Sequence, residues 1–108
     1  MIGWVGVVVK IALILATIPH PHVTGVASWY DWKTREAAAG PALRAMLGPH
    51  WRGRVVMVCA ADRRVCVKVR LTDWCQCYGT RVIDLDRETF RLLALPARGL
   101  VRVSVRLT

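Results

Sequence analysis

The sequence contains few acidic residues and no excess of glycine or proline. Only 7 Asp and Glu stand against 16 Lys and Arg in 108 residues, so the formal net charge is +9. Glycine contributes 8 positions and proline 5, whereas apolar residues make up 55% of the chain. This composition excludes disordered, collagenous and low-complexity proteins. A chain of this length is expected to form one domain around a hydrophobic core.

Several motifs that carry chemistry in other proteins are also absent. The chain has no internal repeat, no glycine-rich phosphate loop, no H-E-x-x-H motif and no nucleophile elbow. Its cysteines follow the spacing C-x6-C-x8-C-x-C, without the paired C-x2-C knuckles of zinc ribbons and fingers. We therefore predict neither a metal site nor a cofactor.

A long apolar run, Met1–Ile18, stands at the N-terminus and is followed by Pro19-His20-Pro21-His22. Its position favours a signal peptide or a membrane anchor over a buried strand. Lys10 lies inside the run and no small-x-small cleavage site is evident, so cleavage and anchoring both stay open. We predict a leader at 1–18, a linker at 19–24 and a folded domain at 25–108, secreted or membrane-anchored outside the cytoplasm.

The predicted domain is small and keeps 15 of the 16 basic residues with all 7 acidic ones. Domains of this size often need covalent or metal staples to hold a unique fold. Because disulfides persist outside the cytosol, an export segment makes the cysteines disulfide candidates. These are Cys59, Cys66, Cys75 and Cys77.

The disulfide pairing stays open at this point. If Ala61–Arg64 forms a hairpin connector, Cys59 lies opposite Cys66, near the separation that a disulfide requires. The alternatives join Cys66 to Cys75 or to Cys77. A bridge between Cys75 and Cys77 would close a strained small ring.

The secondary structure is predicted to be mainly β. Runs rich in β-branched residues, several of which alternate apolar and polar side chains as half-buried strands do, predict four strands. They are Arg54–Cys59, Val65–Leu71, Arg81–Ile83 and Leu100–Arg106. One helix is predicted over Arg87–Leu93, with Asp86 as its N-cap and Pro96 beyond its end. A second helical segment is predicted over Ala37–Leu47, although Gly40-Pro41 interrupts it.

Two carboxylates occupy positions suited to chemistry. Asp73 directly follows a hydrophobic run and precedes Trp74, and an apolar neighbour raises the pKa of an acid. Asp84 is flanked by apolar residues, so it faces away from them in an extended strand. Structural roles compete with function, because Asp73 can cap its loop and Asp84 can pair with Arg81.

A second candidate segment is Ser28-Trp29-Tyr30-Asp31-Trp32. Its aromatic side chains can stack on sugar rings or fill a small core, and we expect at least one of Trp29 and Trp32 to pack in the core. Ser28 and Tyr30 share a face of a strand and can offer hydroxyls to a ligand. Asp31 is a third candidate carboxylate.

Four segments carry a resemblance to a known family: Gly25-Val-Ala-Ser-Trp-Tyr30, Val69-Arg-Leu-Thr-Asp73, Arg81-Val-Ile-Asp84-Leu-Asp86 and Gly99-Leu-Val-Arg-Val-Ser-Val105. Together they resemble the double-psi β-barrel of rare lipoprotein A-like domains, and more distantly the expansin, barwin and family 45 glycosidase group. The resemblance covers nearly all of 25–108. It implies a mainly β, six-stranded double-psi β-barrel with one or two short helices.

The resemblance also implies a site. Thr72-Asp73 and Asp84-Leu85-Asp86 match the Thr-Asp and Asp-Leu-Ser of bacterial expansins, whose two acids line a shallow polysaccharide groove. Asp73 and Asp84 are thus the candidate catalytic residues. The candidate substrate-binding residues beside them are Ser28, Tyr30, Trp74 and Arg81.

Two departures weaken the implied lytic activity. Lytic transglycosylases of this type have Asp-Arg-Gly-Pro where this chain has Asp73-Trp74-Cys75-Gln76, and Ala-Ala-His where it has Ala38-Ala39-Gly40. His50 is nearby in sequence but is predicted to be solvated in a loop. Asp73 alone can still act, since glycan cleavage with internal 1,6-anhydro capture can be run by one acid and base group.

The leading hypothesis is an exported domain that binds or modifies cell-wall peptidoglycan. The alternatives are a lytic transglycosylase that uses Asp73 as acid and base, and a disulfide-stapled structural or interaction module. The arginine-rich charge also suits anionic wall polymers such as teichoic acids. A nucleic-acid partner is disfavoured because no recognised binding module is present. The membrane is a partner if the leader is not cleaved.

Overall fold

The computed structural model describes residues 21–108, so the predicted leader at 1–18 lies outside the described residues. The strands are β1 (His22–Tyr30), β2 (Glu36–Ala39), β3 (Val55–Ala60), β4 (Cys66–Trp74), β5 (Arg81–Asp86) and β6 (Val101–Leu107). The helices are α1 (Pro41–Leu47) and α2 (Arg87–Leu93), and a short 3₁₀ turn covers Pro96–Arg98. None of the helices in this part of the chain has the length and apolar character needed to cross a membrane.

The six strands close into a barrel in the order β1-β5-β2-β4-β3-β6. The pairs β1–β5 and β2–β4 are parallel, and the other four pairs are antiparallel. Closure leaves no unpaired strand edge around the circumference. The predicted mainly β, six-stranded barrel with two short helices is therefore confirmed.

Alternation along the strands builds the core. On β4 the apolar side chains of Val67, Val69 and Leu71 are buried, whereas Lys68 and Arg70 between them are exposed. On β6 the valines likewise point inward and the arginines outward. Both predicted patterns are confirmed, and the positive charge lies on the outside of the barrel.

The predicted helix over Ala37–Leu47 is wrong in its first part. Ala37–Ala39 belong to β2, which pairs with both β4 and β5. Alanine is a good helix former, but intrinsic propensity is a weak preference, and pairing with two neighbouring strands overrides it here. The helix begins at Pro41, a residue preorganised for the first helical turn.

Gly40 separates β2 from α1 because the backbone here approaches β5 closely. Its N–H donates a 2.9 Å hydrogen bond to the Val82 carbonyl. A Cβ at this position would lie 2.7 Å from that carbonyl oxygen and 3.1 Å from the Cys77 Cβ. No residue with a side chain fits here without displacing β5.

Both disulfides are present and resolve the open pairing. Cys59 opposes Cys66 across the β3–β4 hairpin and is bonded to it. Cys75 is bonded to Cys77, although this bridge was expected to close a strained small ring. The backbone accommodates it because Cys77 adopts a positive φ of 43° in the turn after β4. All four cysteines are thus used as staples.

Candidate functional site

One row of residues runs across four neighbouring strands of the barrel. In the order β1, β5, β2, β4, its members are in register as Ser28, Asp84, Ala38 and Asp73. Residues in register on adjacent strands point to the same face, here the outer face. Asp84 and Asp73 flank Ala38, and their backbones are two strand spacings apart, about 9.5 Å. We call this set the acid row.

A β-bulge in β4 turns Asp73 to the outer face. Ala37 pairs with Leu71, but its neighbour Ala38 pairs with Asp73, so Thr72 is the extra residue. Strict alternation would have placed Asp73 inside the barrel with Leu71. A second irregularity lies at Val82, between Arg81 and Ile83 on β5. Sequence periodicity alone does not reveal these bulges.

Asp84 is half-buried and its pKa is raised above the ordinary value. Burial is the largest cause, and the negative charge of Asp73 also raises it. Two groups act in the opposite direction: the Ser28 hydroxyl donates a 3.0 Å hydrogen bond to Asp84 Oδ1, and the positive charge of Arg81 favours the carboxylate. Arg81 also reaches Ser28, with Nη1 3.4 Å from Oγ. Asp84 therefore holds its proton to a higher pH than an exposed aspartate does.

Tyr30 connects β1 to the second acid. Its hydroxyl donates a hydrogen bond to Asp73 Oδ2 over 3.2 Å. Burial and the charge of Asp73 raise the pKa of Tyr30 far above its usual range, so the phenol stays protonated. The other Asp73 oxygen, Oδ1, accepts a 2.9 Å hydrogen bond from the Trp74 backbone N–H. Asp73 is thus fixed in orientation by two donors.

Aromatic side chains flank the acid row on both sides. The Tyr30 and Trp32 rings stack with centroids 5.5 Å apart, and Trp32 Nε1 donates a 3.1 Å hydrogen bond to Thr72 Oγ1. On the other side Trp74 is 53% exposed, and the Arg44 guanidinium lies 5.6 Å from its ring centroid. Exposed aromatic faces beside carboxylates suit the stacking of sugar rings between polar contacts.

Sequence reasoning missed two supporting residues. Arg44 donates from Nη1 to the backbone carbonyls of Ala39 and Cys75, which ties α1 to the strand ends around the acid row. Thr72 holds Trp32 through its hydroxyl and accepts a hydrogen bond from Arg52 at its carbonyl. Arg44 thus joins the end of β2 to the turn after β4, and Thr72 joins β4 to the segment after β1. The sequence alone does not identify these residues, because their partners are distant in the chain.

The other candidate residues lie elsewhere. Trp29 packs against the core and donates from Nε1 to the Pro96 carbonyl, as expected for one of the two tryptophans. Asp31 is exposed and lines a separate surface cavity of about 540 Å³ with Glu88. Asp86 is buried and caps α2, accepting a 3.1 Å hydrogen bond from the Thr89 N–H. The predicted N-cap is therefore confirmed.

The structure leaves no room for the histidine of the family motif, which this chain lacks. Gly40, at the position that the resemblance matches to the family's histidine, is packed too tightly against Val82 and Cys77 to hold a side chain. His50 is exposed, as predicted. Within residues 21–108, no cluster of three or more His, Cys, Asp and Glu side chains is placed to hold a metal ion. The groups that the structure places at the acid row are the carboxylates of Asp73 and Asp84, the hydroxyls of Ser28 and Tyr30, and the Arg81 guanidinium.

Comparison with solved structures finds the same fold in bacterial proteins. Clavibacter michiganensis expansin without ligand superposes with a TM-score of 0.66 at 19% identity. An Asp-to-Asn variant of the same expansin, in complex with cellohexaose, gives 0.65 at 18% identity. In both cases the match covers 82% of this chain and 50% of the expansin, so the chain corresponds to half of that protein.

A Streptomyces papain inhibitor is also similar, with a TM-score of 0.62 and 25% identity over 82% of this chain and 96% of the inhibitor. No curated protein sequence matches the chain. The family model described as lytic transglycolase, a double-psi β-barrel, matches residues 22–105. The chain therefore belongs to the lytic transglycolase family of double-psi β-barrels.

Proposed function

We propose that the protein binds the glycan strands of the bacterial cell wall along the acid row. The observation that carries this proposal is the in-register placement of Ser28, Asp84 and Asp73 on one outer surface. Tyr30 and Trp74 flank that surface. Because the two acids are held about 9.5 Å apart at their backbones, a sugar unit fits between them and can accept or donate hydrogen bonds at both ends.

The ligand class rests on shape and chemistry. Asp73 and Asp84 are partly exposed on this outer face, while Ser28 and Ala38 in the same row are buried. A shallow, partly exposed surface suits a long polymer better than a small molecule, which needs an enclosing cavity. The related expansin fold has been captured with cellohexaose, a linear polysaccharide fragment. Carboxylates that accept hydrogen bonds from sugar hydroxyls, with aromatic rings beneath the apolar sugar faces, make a neutral glycan the fitting ligand.

Cleavage of the glycan is the alternative to binding alone, and the two acids are suited to different steps of it. Asp84, whose pKa is raised, can protonate the glycosidic oxygen as the bond to C1 breaks. Asp73 can accept the proton from the C6 hydroxyl as that oxygen attacks C1, which closes a 1,6-anhydro ring. In the single-residue version Asp73 performs both transfers. Neither version needs the family histidine, for which Gly40 leaves no room.

Peptidoglycan sacculi test binding and cleavage together. The full chain is incubated with sacculi, the pellet is assayed for bound protein, and the supernatant is analysed by mass spectrometry for 1,6-anhydro muropeptides. Binding without release supports a glycan-binding domain. Release that Asp73→Asn or Asp84→Asn abolishes establishes the transglycosylase. Absence of both binding and release contradicts the proposal.

Asp62→Asn is the matched control for these variants. Asp62 lies in the exposed β3–β4 connector and forms a 4.0 Å ion pair with Arg98. The Asp62→Asn substitution removes the same charge as the acid-row variants but leaves the acid row intact. Sacculus binding should therefore fall in the acid-row variants and not in Asp62→Asn. Equal losses in all three would show that net charge alone governs attachment.

A second candidate is a protein-binding module, favoured by the similarity to the papain inhibitor over nearly its whole length. The turn after β4 is closed by the Cys75–Cys77 bridge and exposes Tyr78 to 76%. A short, covalently fixed loop with an exposed aromatic residue is a suitable anchor in a protein interface. Titration of papain with the chain tests this candidate. Full protease activity at excess chain, with tight sacculus binding, would leave glycan as the ligand.

A further inference from the structure

A second row of outward residues occupies the other half of the barrel. Lys68 on β4, Met57 on β3 and Arg106 on β6 are in register with one another. Arg70 lies two residues beyond Lys68 and Arg102 four residues before Arg106, on the same outward face of their strands. Lys68, Arg70, Arg102 and Arg106 thus form a diagonal basic stripe.

The basic stripe carries an excess of positive charge within the described part of the chain. Ion pairs among residues 21–108 are Arg91–Glu88 and Arg98–Asp62, and neither involves the stripe. β3 and β6 contain no acidic residue at all, whereas Glu36 on β2 is in register with Arg70, which also donates a 2.8 Å hydrogen bond to the Gly53 carbonyl. All four basic side chains are exposed. An excess of charge of one sign on a sheet face raises the local concentration of oppositely charged polymers.

Two hollows give the basic stripe a concave outline. One, of about 500 Å³, is lined by Met57, Arg106 and the chain end at Leu107 and Thr108. The other, of about 200 Å³, is lined by residues that include Lys68 and Arg70. The hollows lie beside the two ends of the Lys68–Met57–Arg106 row. A flexible linear polymer can follow this outline across the sheet.

We propose that the basic stripe binds a linear phosphodiester polymer, independently of the acid row. Arginine matches phosphate geometry with two parallel hydrogen bonds, and three of the four stripe residues are arginine. β3 and β6 contain no aromatic residue. Binders of single-stranded nucleic acid stack bases on aromatic rings, so this surface is suited to a flexible phosphate backbone without bases.

The Lys68–Met57–Arg106 row of the basic stripe lies apart from the acid row. On β4, Lys68 precedes Asp73 by five residues, a distance of about 16 Å along a strand, whereas Arg70 precedes it by three, about 10 Å. Screening by physiological salt acts over about 8 Å, so a polymer held at Lys68 and Arg106 does not experience the acid-row charges strongly. One domain can therefore bind a neutral glycan and an anionic polymer at the same time, as in a cell wall that contains both.

The test measures binding of the full chain, in neutral detergent, to purified poly(glycerol phosphate) teichoic acid over a series of salt concentrations. Each neutralised phosphate contributes about 0.7 to the slope of log affinity against log salt for a flexible strand. Lys68→Gln/Arg106→Gln should reduce that slope by about 1.4. The single substitutions should each reduce it by about 0.7 and serve if the double variant does not fold.

Arg91→Gln/Arg98→Gln is the matched control, because it removes two exposed positive charges outside the basic stripe. Its slope should stay at the wild-type value, and an equal reduction in both double variants would overturn the proposal. Single-stranded DNA of equal charge should compete weakly; competition as strong as that of teichoic acid would identify a nucleic-acid surface instead. Asp73→Asn should keep teichoic acid binding, because Asp73 lies outside the basic stripe. The glycan proposal is tested by sacculus binding, so either proposal can fail without the other.

Discussion

Ser28 and Asp84 lie side by side on parallel strands, and the Ser28 hydroxyl donates a 3.0 Å hydrogen bond to the carboxylate. The two residues are separated by 56 positions in the chain. This bond lowers the pKa of Asp84, whereas burial of the same carboxylate raises it more strongly. Ser28 therefore partly offsets the rise in the pKa of Asp84 that burial causes.

Removal of the hydroxyl should raise the pKa of Asp84 further. In Ser28→Ala the carboxylate loses a donor that favours its charged form, while its burial is unchanged. The pKa is measured by NMR titration of the carboxyl carbon in wild type and variant. Ser104→Ala on β6 removes a hydroxyl that is not in the acid row and should leave the titration of Asp84 unchanged. A lower pKa in Ser28→Ala would contradict the assignment.

Asp84 should make stability fall as the pH rises. Its folded-state pKa is above the ordinary 3.8, so the folded protein binds more protons than the unfolded chain between those two values. The contribution is fully present below pH 3.8 and is lost as the pH rises through the folded-state pKa. Asp84→Asn should therefore unfold at higher urea than wild type at pH 7, with the difference vanishing at pH 3. An unchanged difference at both values would exclude a titrating Asp84 as its cause.

The groups that act on the charge of Asp84 lie on other strands of the barrel and on β5 itself. Ser28 on β1 and Arg81 on β5 favour the charged form, and Asp73 on β4 disfavours it. Asp62→Asn changes the same functional group on the exposed connector and should not give the same gain at pH 7. An acid that lowers the stability of the fold is a common feature of an active or binding surface, because such surfaces trade stability for function.

Trp74 should contribute to glycan affinity and little to folding. It is 53% exposed and contacts Arg44 at the edge of the acid row. Trp74→Ala should weaken binding to sacculi about tenfold, which corresponds to about 1.4 kcal/mol. Tyr78→Ala is the matched control, since Tyr78 is an exposed aromatic on the adjacent turn. If only Tyr78→Ala weakens binding, the ligand follows the turn and not the acid row.

Four of the six strands and the orientation of Asp84 are predictable because they depend on local alternation. Ile83 and Leu85 are fully buried while Asp84 between them is only half-buried, as the period of two predicts. The Asp86 cap is predictable for the same reason, since a helix N-terminus satisfies its donors within a few residues. These features need no knowledge of which strands are neighbours.

The placement of Asp73 is not predictable from alternation, because the bulge at Thr72 reverses the facing of the strand. The bulge lies between the Ala37–Leu71 and Ala38–Asp73 pairs of β2 and β4, a relationship between residues more than 30 positions apart. Ala37–Ala39 were predicted as helix for a related reason: alanine fits both structures, and only pairing with β4 and β5 decides. The resemblance to a family supplied what local pattern did not.

The Cys59–Cys66 bridge should contribute more to stability than to binding. It joins β3 to β4 at the hairpin, far from the acid row, and its sequence separation is 7. Closing a loop of that length restricts the unfolded chain by about 2 kcal/mol. Cys59→Ala/Cys66→Ala should lose about that free energy of unfolding in urea while its sacculus binding is kept. Loss of binding under conditions where the variant is folded would place the hairpin in the site.

Asp86 is expected to behave as a structural acid, in contrast to Asp84 two residues before it. Its Oδ1 accepts a 3.1 Å hydrogen bond from the Arg35 N–H, and its Oδ2 accepts one from Thr89 at the start of α2. Asp86→Ala removes the cap and leaves the Arg35 donor unpaired, a combined loss of about 3 kcal/mol. Asp86→Asn should lose less, because asparagine caps helices as well as aspartate does. Urea unfolding at pH 7 measures both variants. Since Asp84→Asn is expected to gain stability at the same pH, opposite signs for the two aspartates would separate an acid whose charge costs stability from an acid that holds the fold.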